Sequence, residues 1–229
     1  MASQIRLISS MATKQVLAEL ISQYQAQTAH TVQLESVGGV DAAKRVQADE
    51  AFDVVALASN AIDQLIAAGK LLAGSRVDLA HSGVAIAVRA GAPKIDIGSE
   101  QAVKAAVLAA KSLSYSTGPS GVQLAKLFER WGITEEISSR IVQAPPGVPV
   151  GSLVAKGEVE LGFQQLSELI HLSGIDVLGP LPPAIQITTT FSAGVASSST
   201  QPELAKALIA FMGAPTAAAA KRAQGMDPA

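Results

Sequence analysis

An α/β fold is predicted by three observations. Hydrophobic residues make up 48% of the 229-residue chain, but aromatics only 3%. The apolar mass is therefore Ala, Val, Leu and Ile, the composition of strands laid under helices. Up to Gly69 the chain reads strand then helix three times over, which implies right-handed crossovers and a parallel sheet. Beyond that point the pattern changes to shorter strands and Gly/Pro/Ser-rich loops, and a long β-rich stretch, Ile185 to Val195, carries the chain back. The whole predicts two lobes, the first discontinuous.

Each element has its own signal. Ile5 to Ile8 is a short buried strand, and Ser9-Ser10-Met11-Ala12-Thr13 opens a helix of about 15 residues with Val16, Leu17, Leu20, Ile21 and Tyr24 on one face. Thr31 to Ser36 is the second strand. Val37-Gly38-Gly39-Val40-Asp41 turns into a helix with Asp41 as its expected N-cap. Phe52 to Ala58 is continuously apolar except for Asp53, as a central parallel strand should be; Asp53 reads as a structural hydrogen-bond acceptor. Ser59-Asn60 ends that strand, and Ala61 to Ala68 is a helix stopped by Gly69.

The second half follows the same logic. Ser82 to Arg89 is a strand, Ala90 to Lys94 a loop, and Ser99 caps a helix to Ala110. Ser112 to Ser116 is a strand, and Thr117-Gly118-Pro119-Ser120-Gly121 is a turn. Val122 to Trp131 is a helix closed by Gly132, and Trp131 reads as core. Glu135-Glu136 begins a solvated helix. Ile141-Val142 is a brief strand, Pro145 to Pro149 a break, and Val150 to Ala155 a helix. Val159 to Gln164 is a strand, Gln165 to His171 a helical turn, and Ile175 to Leu178 a strand. Pro202 to Met212 and Thr216 to Gly225 are the last helices.

The composition excludes several functions. Seventeen basic against 19 acidic residues give a net charge of −2, so bulk charge offers nothing to neutralise nucleic-acid phosphates. Zero cysteine removes disulfides, thiolate metal sites and a thiol nucleophile. Three scattered histidines, His30, His81 and His171, have no metal-ligand spacing. No metal and no cofactor is expected. No apolar run approaches the ~20 residues of a membrane helix, so no membrane insertion is expected. Neither a phosphate-binding G-x-x-x-x-G-K-[ST] nor a G-x-G-x-x-G fingerprint occurs. No export leader is visible, which implies a cytoplasmic protein if Met1 is the native start and a periplasmic one if a leader has been removed.

Four loops share one design: Ser9-Ser10-Met11, Val37-Gly38-Gly39, Ser116-Thr117-Gly118-Pro119-Ser120-Gly121, and Gly147-Val148-Pro149-Val150-Gly151-Ser152. Each leaves a strand and opens a helix. In open α/β sheets ligands bind beyond the carboxyl ends of the strands, where helix starts present unpaired N–H groups and partial positive charge. Small residues let an anion approach that backbone closely. Taken singly each loop reads as a connector; together they point to an anion site that needs few cations. Lys14, Lys44, Arg45 and Arg89 read as solvated surface charges.

Four segments carry a resemblance: Ile5-Arg6-Leu7-Ile8-Ser9-Ser10-Met11-Ala12, Phe52-Asp53-Val54-Val55-Ala56-Leu57, Val88-Arg89-Ala90-Gly91-Ala92-Pro93-Lys94-Ile95-Asp96-Ile97 and Tyr115-Ser116-Thr117-Gly118-Pro119-Ser120-Gly121-Val122. The chain resembles the type II periplasmic-binding-protein fold and, more closely, the molybdate-binding-like bacterial solute-binding proteins. That resemblance implies two α/β lobes with a ligand cleft between them, one lobe of residues 1–80 and 194–229 and the other of 81–193. It implies a ligand held by Ser9, Ser10, Met11, Gly38, Gly39, Ser59, Ser116, Thr117, Ser120, Gly121, Val148, Gln164 and Gln165.

The chain departs from the molybdate pattern at three places. Molybdate binders carry Ser where this chain has Ala12, Ser in the Gly38-Gly39 loop and Tyr near Gln165. The added room and the two glutamine amides suit a larger organic acid better than a tetrahedral oxyanion. The expected function is therefore a solute-binding protein that closes its lobes on a small anion, an organic carboxylate. Its further partner would be a transporter membrane component if the chain is exported. Aconitate isomerase resembles the same proteins, so an isomerase of an unsaturated di- or tricarboxylate is an alternative, as is molybdate or tungstate binding. An isomerase would remove a proton next to a carboxylate and stabilise the resulting enolate-like charge; the sequence offers no obvious base.

Overall fold

Val54–Ala58 (β3) is buried at all its positions, and this decides the layering of the first half of the chain. Successive side chains of a strand point to opposite faces, so Val54, Ala56 and Ala58 enter one core while Val55 and Leu57 enter another. A strand apolar on both faces must be covered by helices on both.

The computed structural model describes residues 2–144 and 148–229. It divides into two units, 1–82 with 189–229, and 83–188. The sequence reading puts these boundaries at 80/81 and 193/194. The difference at the second is physical: Phe191 to Val195 pair antiparallel with β3 and so belong to the first unit. Gly147, part of one predicted loop, lies with Pro145 and Pro146 outside the described residues.

In the first unit Gln4–Ser10 (β1) leads through a short 3-10 turn, Met11–Thr13, into Lys14–Gln27 (α1). The predicted face of α1 is buried, and Tyr24 meets Phe211 edge-on at 5.4 Å between ring centres. Thr31–Val37 (β2), Gly39–Gln47 (α2), β3 and Ser59–Ala67 (α3) follow. Val77–Arg89 (β4) then carries the chain into the second unit. Thr188–Val195 (β8), Pro202–Gly213 (α9), Ala218–Ala223 (α10) and Asp227–Pro228 (β9) complete the first unit. Its sheet runs β2-β1-β3-β8-β4, with β9 on β4. β1 is parallel to β2 and β3, while β8 is antiparallel to β3. Helices α1, α9 and α10 cover one face, and α2 and α3 the other.

The second unit holds Glu100–Ala109 (α4), Leu113–Tyr115 (β5), Pro119–Arg130 (α5), Thr134–Ser138 (α6), Val150–Lys156 (α7), Leu161–Gln165 (β6), Leu166–Leu169 (α8) and Ile175–Pro180 (β7). β4 lies between β7 and β6, and β5 runs parallel to β6. Phe128 centres the main core, with Tyr115, Trp131 and Phe163 rings at 5.8, 5.9 and 6.1 Å. Burying such a side chain is worth about 1.5–3 kcal/mol. Trp131 closes α5 and donates from Nε1 to Glu100 Oε1 at 2.6 Å. It is a packing residue with a satisfied N–H.

Several local expectations shift. Gly38, not Asp41, is the N-cap of α2: Ala42 N–H donates to Gly38 O, which places Asp41 in the first turn. Among the described residues Ile141 forms one isolated bridge, to Leu113, and Ile141-Val142 is not a strand. β4 starts at Val77 because its first half pairs with β8 and β9, and Asp78 there accepts from Ser192 Oγ of β8 at 2.6 Å. Asp53 is the acceptor expected of it, taking Arg6 N–H at 2.9 Å and Ser199 Oγ at 2.6 Å. Arg45 pairs with Glu35 and Glu50 at 2.5 Å each and lies over the Phe52 ring.

Candidate functional site

In the first unit, three parallel strands end side by side and each opens a helix. Register places Ser9 opposite Ser36 and Ser10 opposite Val37. Ser9 is fully buried and its Oγ lies 2.8 Å from Ser36 Oγ, so this hydroxyl joins the two strand ends. Ser10 stands before the 3-10 turn in extended conformation, its Oγ 3.4 Å from Thr13 Oγ1. A side-chain carbon on Gly39 would lie 3.6 Å from Ser10 Cβ, which puts the first turn of α2 beside Ser10. Met11 sits in the 3-10 turn, and Ser59 is the first residue of α3, past the end of β3. The structure thus gathers Ser9, Ser10, Met11, Gly38, Gly39 and Ser59 on one edge of the sheet. Sequence reasoning missed Ser36 and Thr13, which support that edge; cross-strand register supplies the first and has no local signature.

The helices starting here have no side-chain cap. None is made at α1, α2 or α3. Among the described α-helices only α4 has such a cap, Ser99 Oγ accepting Ala102 N–H at 3.1 Å. Uncapped starts leave N–H groups open to another acceptor. Asp41, exposed in the first turn of α2, already brings negative charge to that helix start.

The second unit presents a comparable edge. β5 and β6 pair Tyr115 with Phe163, so Ser116, just past β5, and Gln164, the last residue but one of β6, stand at the same end of the two strands. Ser116 Oγ and Ser120 Oγ are 3.1 Å apart, and Ser120 is buried. The Ser116 carbonyl lies against Gly121, where an added Cβ would stand 1.6 Å from the oxygen. Only glycine admits that approach. Pro119 occupies the first turn of α5, which again has no side-chain cap. Thr117 is exposed on the loop. Val148 is half-buried and precedes α7, which lies against β6.

Gln164 is buried and its amide is committed to the protein. Its Oε1 accepts the Gly151 N–H at 3.2 Å, and its Nε2 donates to Glu168 Oε1 at 2.9 Å. Gln165 is buried at the junction of β6 and α8. Glu168 is a further residue that sequence reasoning missed. Burial pushes its carboxyl up to about 7, opposed only by the Gln164 amide. It retains some accessible surface even though protein surrounds the carboxyl closely. The available signal was a single acid within the otherwise uncharged run Leu161 to Ile170, four residues after Gln164. Among the described residues no cluster of His, Asp or Glu could hold a metal ion, and no helix is long and apolar enough to cross a membrane.

Two α/β units, entered and left through two passages of the chain, with small-residue loops at parallel strand ends, define a type II periplasmic-binding-protein fold. The chain belongs to the bacterial extracellular solute-binding protein family, whose signature matches residues 5–227. An aconitate isomerase from Pseudomonas sp is 41% identical over 185 residues, covering 80% of this chain and 70% of that protein. Among solved structures, the periplasmic molybdate-binding protein of Azotobacter vinelandii superposes with a TM-score of 0.80 at 22% identity, over 97% of this chain and 98% of that one. The sulfate-binding protein of Mycobacterium tuberculosis H37Rv superposes with a TM-score of 0.75 at 16% identity, over 99% and 87%.

Proposed function

We propose that the chain binds a small organic carboxylate, using hydroxyls and helix-start N–H groups instead of cations, and that in cells it hands this solute to a transporter membrane component. The observation that carries this reading is the placing of hydroxyls and side-chain-free backbone at helix starts: Ser10 beside Gly39 in the first unit, and the Ser116–Ser120 hydroxyl pair at the start of α5 in the second. Hydrogen bonds to a charged acceptor are each worth about 1.5–3 kcal/mol. Several of them suffice for micromolar binding. The glycine pair Gly38-Gly39, which adds no side chain beside Ser10, favours a ligand larger than a tetrahedral oxyanion.

Calorimetric titration with citrate, cis-aconitate, trans-aconitate, molybdate and sulfate tests this. Saturable heat with a carboxylate is expected, and Ser10→Ala and Ser120→Ala should each weaken it about tenfold or more. Tight molybdate binding with no heat from any carboxylate would refute the reading.

A second reading is favoured by the 41% identity to an aconitate isomerase: the bound acid is an unsaturated di- or tricarboxylate, and the chain moves its double bond. The helix-start donors would then stabilise enolate charge. Proton NMR of cis- or trans-aconitate with the protein in D2O separates turnover from binding alone.

A further inference from the structure

Glu168 is placed unlike any other carboxylate in the second unit. Its Oε1 is fixed by the Gln164 amide, and that amide is fixed in turn by the Gly151 N–H at the start of α7. Two consecutive hydrogen bonds thus orient one carboxyl oxygen from backbone and buried side chain. Oε2 has no hydrogen-bond or ion-pair partner among the described residues and is not sealed from solvent. Gln164 is the last residue but one of β6, at the strand end next to the Ser116 loop. A carboxyl with one oxygen tethered and the other open, at the edge that carries the unit's hydroxyls, has the geometry of a proton carrier.

We propose that Glu168 takes and returns the allylic proton of the substrate, an assignment that rests on the isomerase reading. Oε2 removes a proton from the methylene that lies between a carboxylate and the carboxylate-bearing carbon of the double bond. That C–H bond breaks, its electron pair forms a new double bond to the neighbouring carbon, and the pair of the old double bond shifts to the far carbon and its conjugated carboxylate. Glu168 then returns the proton to the far carbon, and the double bond has moved by one position. The step is redox-neutral and needs no co-reactant. Gln164 is the positioning residue. Burial keeps the carboxyl near neutrality in its proton affinity, and no charged neighbour contributes to its titration. A general base is most useful when its pKa lies near the working pH.

The test follows conversion of trans-aconitate by proton NMR, alongside calorimetry with the same acid. Wild type should interconvert the isomers. Glu168→Gln should lose at least about 100-fold in rate while binding trans-aconitate within about threefold of wild type. Glu168→Asp, which keeps the acid but withdraws it by one methylene, should retain a measurable part of the activity. Glu168→Gln turning over within about threefold of wild type would overturn the assignment and leave the isomerase reading standing. Wild type that binds both aconitates without converting either would overturn both. Should Glu168→Gln fail to fold, the wild-type rate against pH decides: a limb rising through about pH 7 is expected, and a flat profile from roughly pH 5.5 to 8.5 overturns the assignment.

Discussion

Replacing Gly121 with Ala isolates the contact on which the Ser116–Ser120 loop is built. The added Cβ would stand 1.6 Å from the Ser116 carbonyl oxygen and 2.7 Å from its carbon. An unstrained carbon–oxygen approach is about 3.3 Å, so the carbonyl must retreat by roughly 1.7 Å. Both atoms are backbone, so no rotamer change relieves the clash. Overpacking of this kind costs about 1–3 kcal/mol. For a chain of this size each kcal/mol lowers Tm by about 2–4 °C. A fall of some 2–12 °C is therefore expected in a thermal melt followed by circular dichroism. The same displacement separates Ser116 Oγ from Ser120 Oγ, now 3.1 Å apart. A hydrogen bond to a charged acceptor is worth about 1.5–3 kcal/mol, so calorimetric affinity for trans-aconitate should fall further than stability alone explains. A Gly121→Ala protein with unchanged Tm and unchanged affinity would show that the Ser116 carbonyl does not rest on α5, and the account of this loop would be wrong.

Three further outcomes are expected. Lys221 on α10 is 2% exposed, has no ion-pair or hydrogen-bond partner for its amine among the described residues, and has its pKa lowered by burial. The native state thus disfavours its charged form, and stability rises with pH from the folded pKa up to the unfolded one near 10.4; Lys221→Met should raise the urea midpoint at pH 7, an advantage that shrinks toward about pH 10. Gly39→Ser meets only an ordinary contact with Ser10, so it should fold with little change in Tm, and it should narrow the preference for organic acids over molybdate in competitive calorimetry. For Glu168 the folded pKa, about 7, exceeds the unfolded 4.5, so its contribution to stability is full below pH 4.5 and is lost as pH rises through 7; Glu168→Gln should therefore be more stable than wild type in urea at pH 8 and little different at pH 4.5.

The first unit was largely legible because its signals are local. Continuous apolar strands and the Val16-Leu17-Leu20-Ile21-Tyr24 face of α1 need no knowledge of partners. Helix starts were less legible: α2, α3 and α5 begin at Gly39, Ser59 and Pro119, earlier than their apolar periodicity implies for α3 and α5, and with no side-chain cap to mark them. At these strand ends the chain enters the helix from an extended residue, and sequence rules look for a capping side chain instead. The start of β4 was hidden because Val77 to His81 mixes charge with apolar residues, and its pairing partner lies more than 100 residues away. Glu168 was hidden for a related reason. A glutamate is ordinarily exposed, and only the fold buries it against β6 and tethers it to Gln164.

The split of the first unit across both chain ends has a consequence for synthesis. Chains emerge from the ribosome N-terminus first, and domains close as they become complete. Residues 83–188 form one uninterrupted segment, whereas the unit begun earlier waits for residues 189–229. Until β8 arrives, β3 has no neighbour on the side where Val54 to Ala58 will pair with it. An apolar strand with an open edge invites pairing with another chain. The half begun first is therefore finished last, and the interval between the two is when a nascent chain of this protein most needs a chaperone.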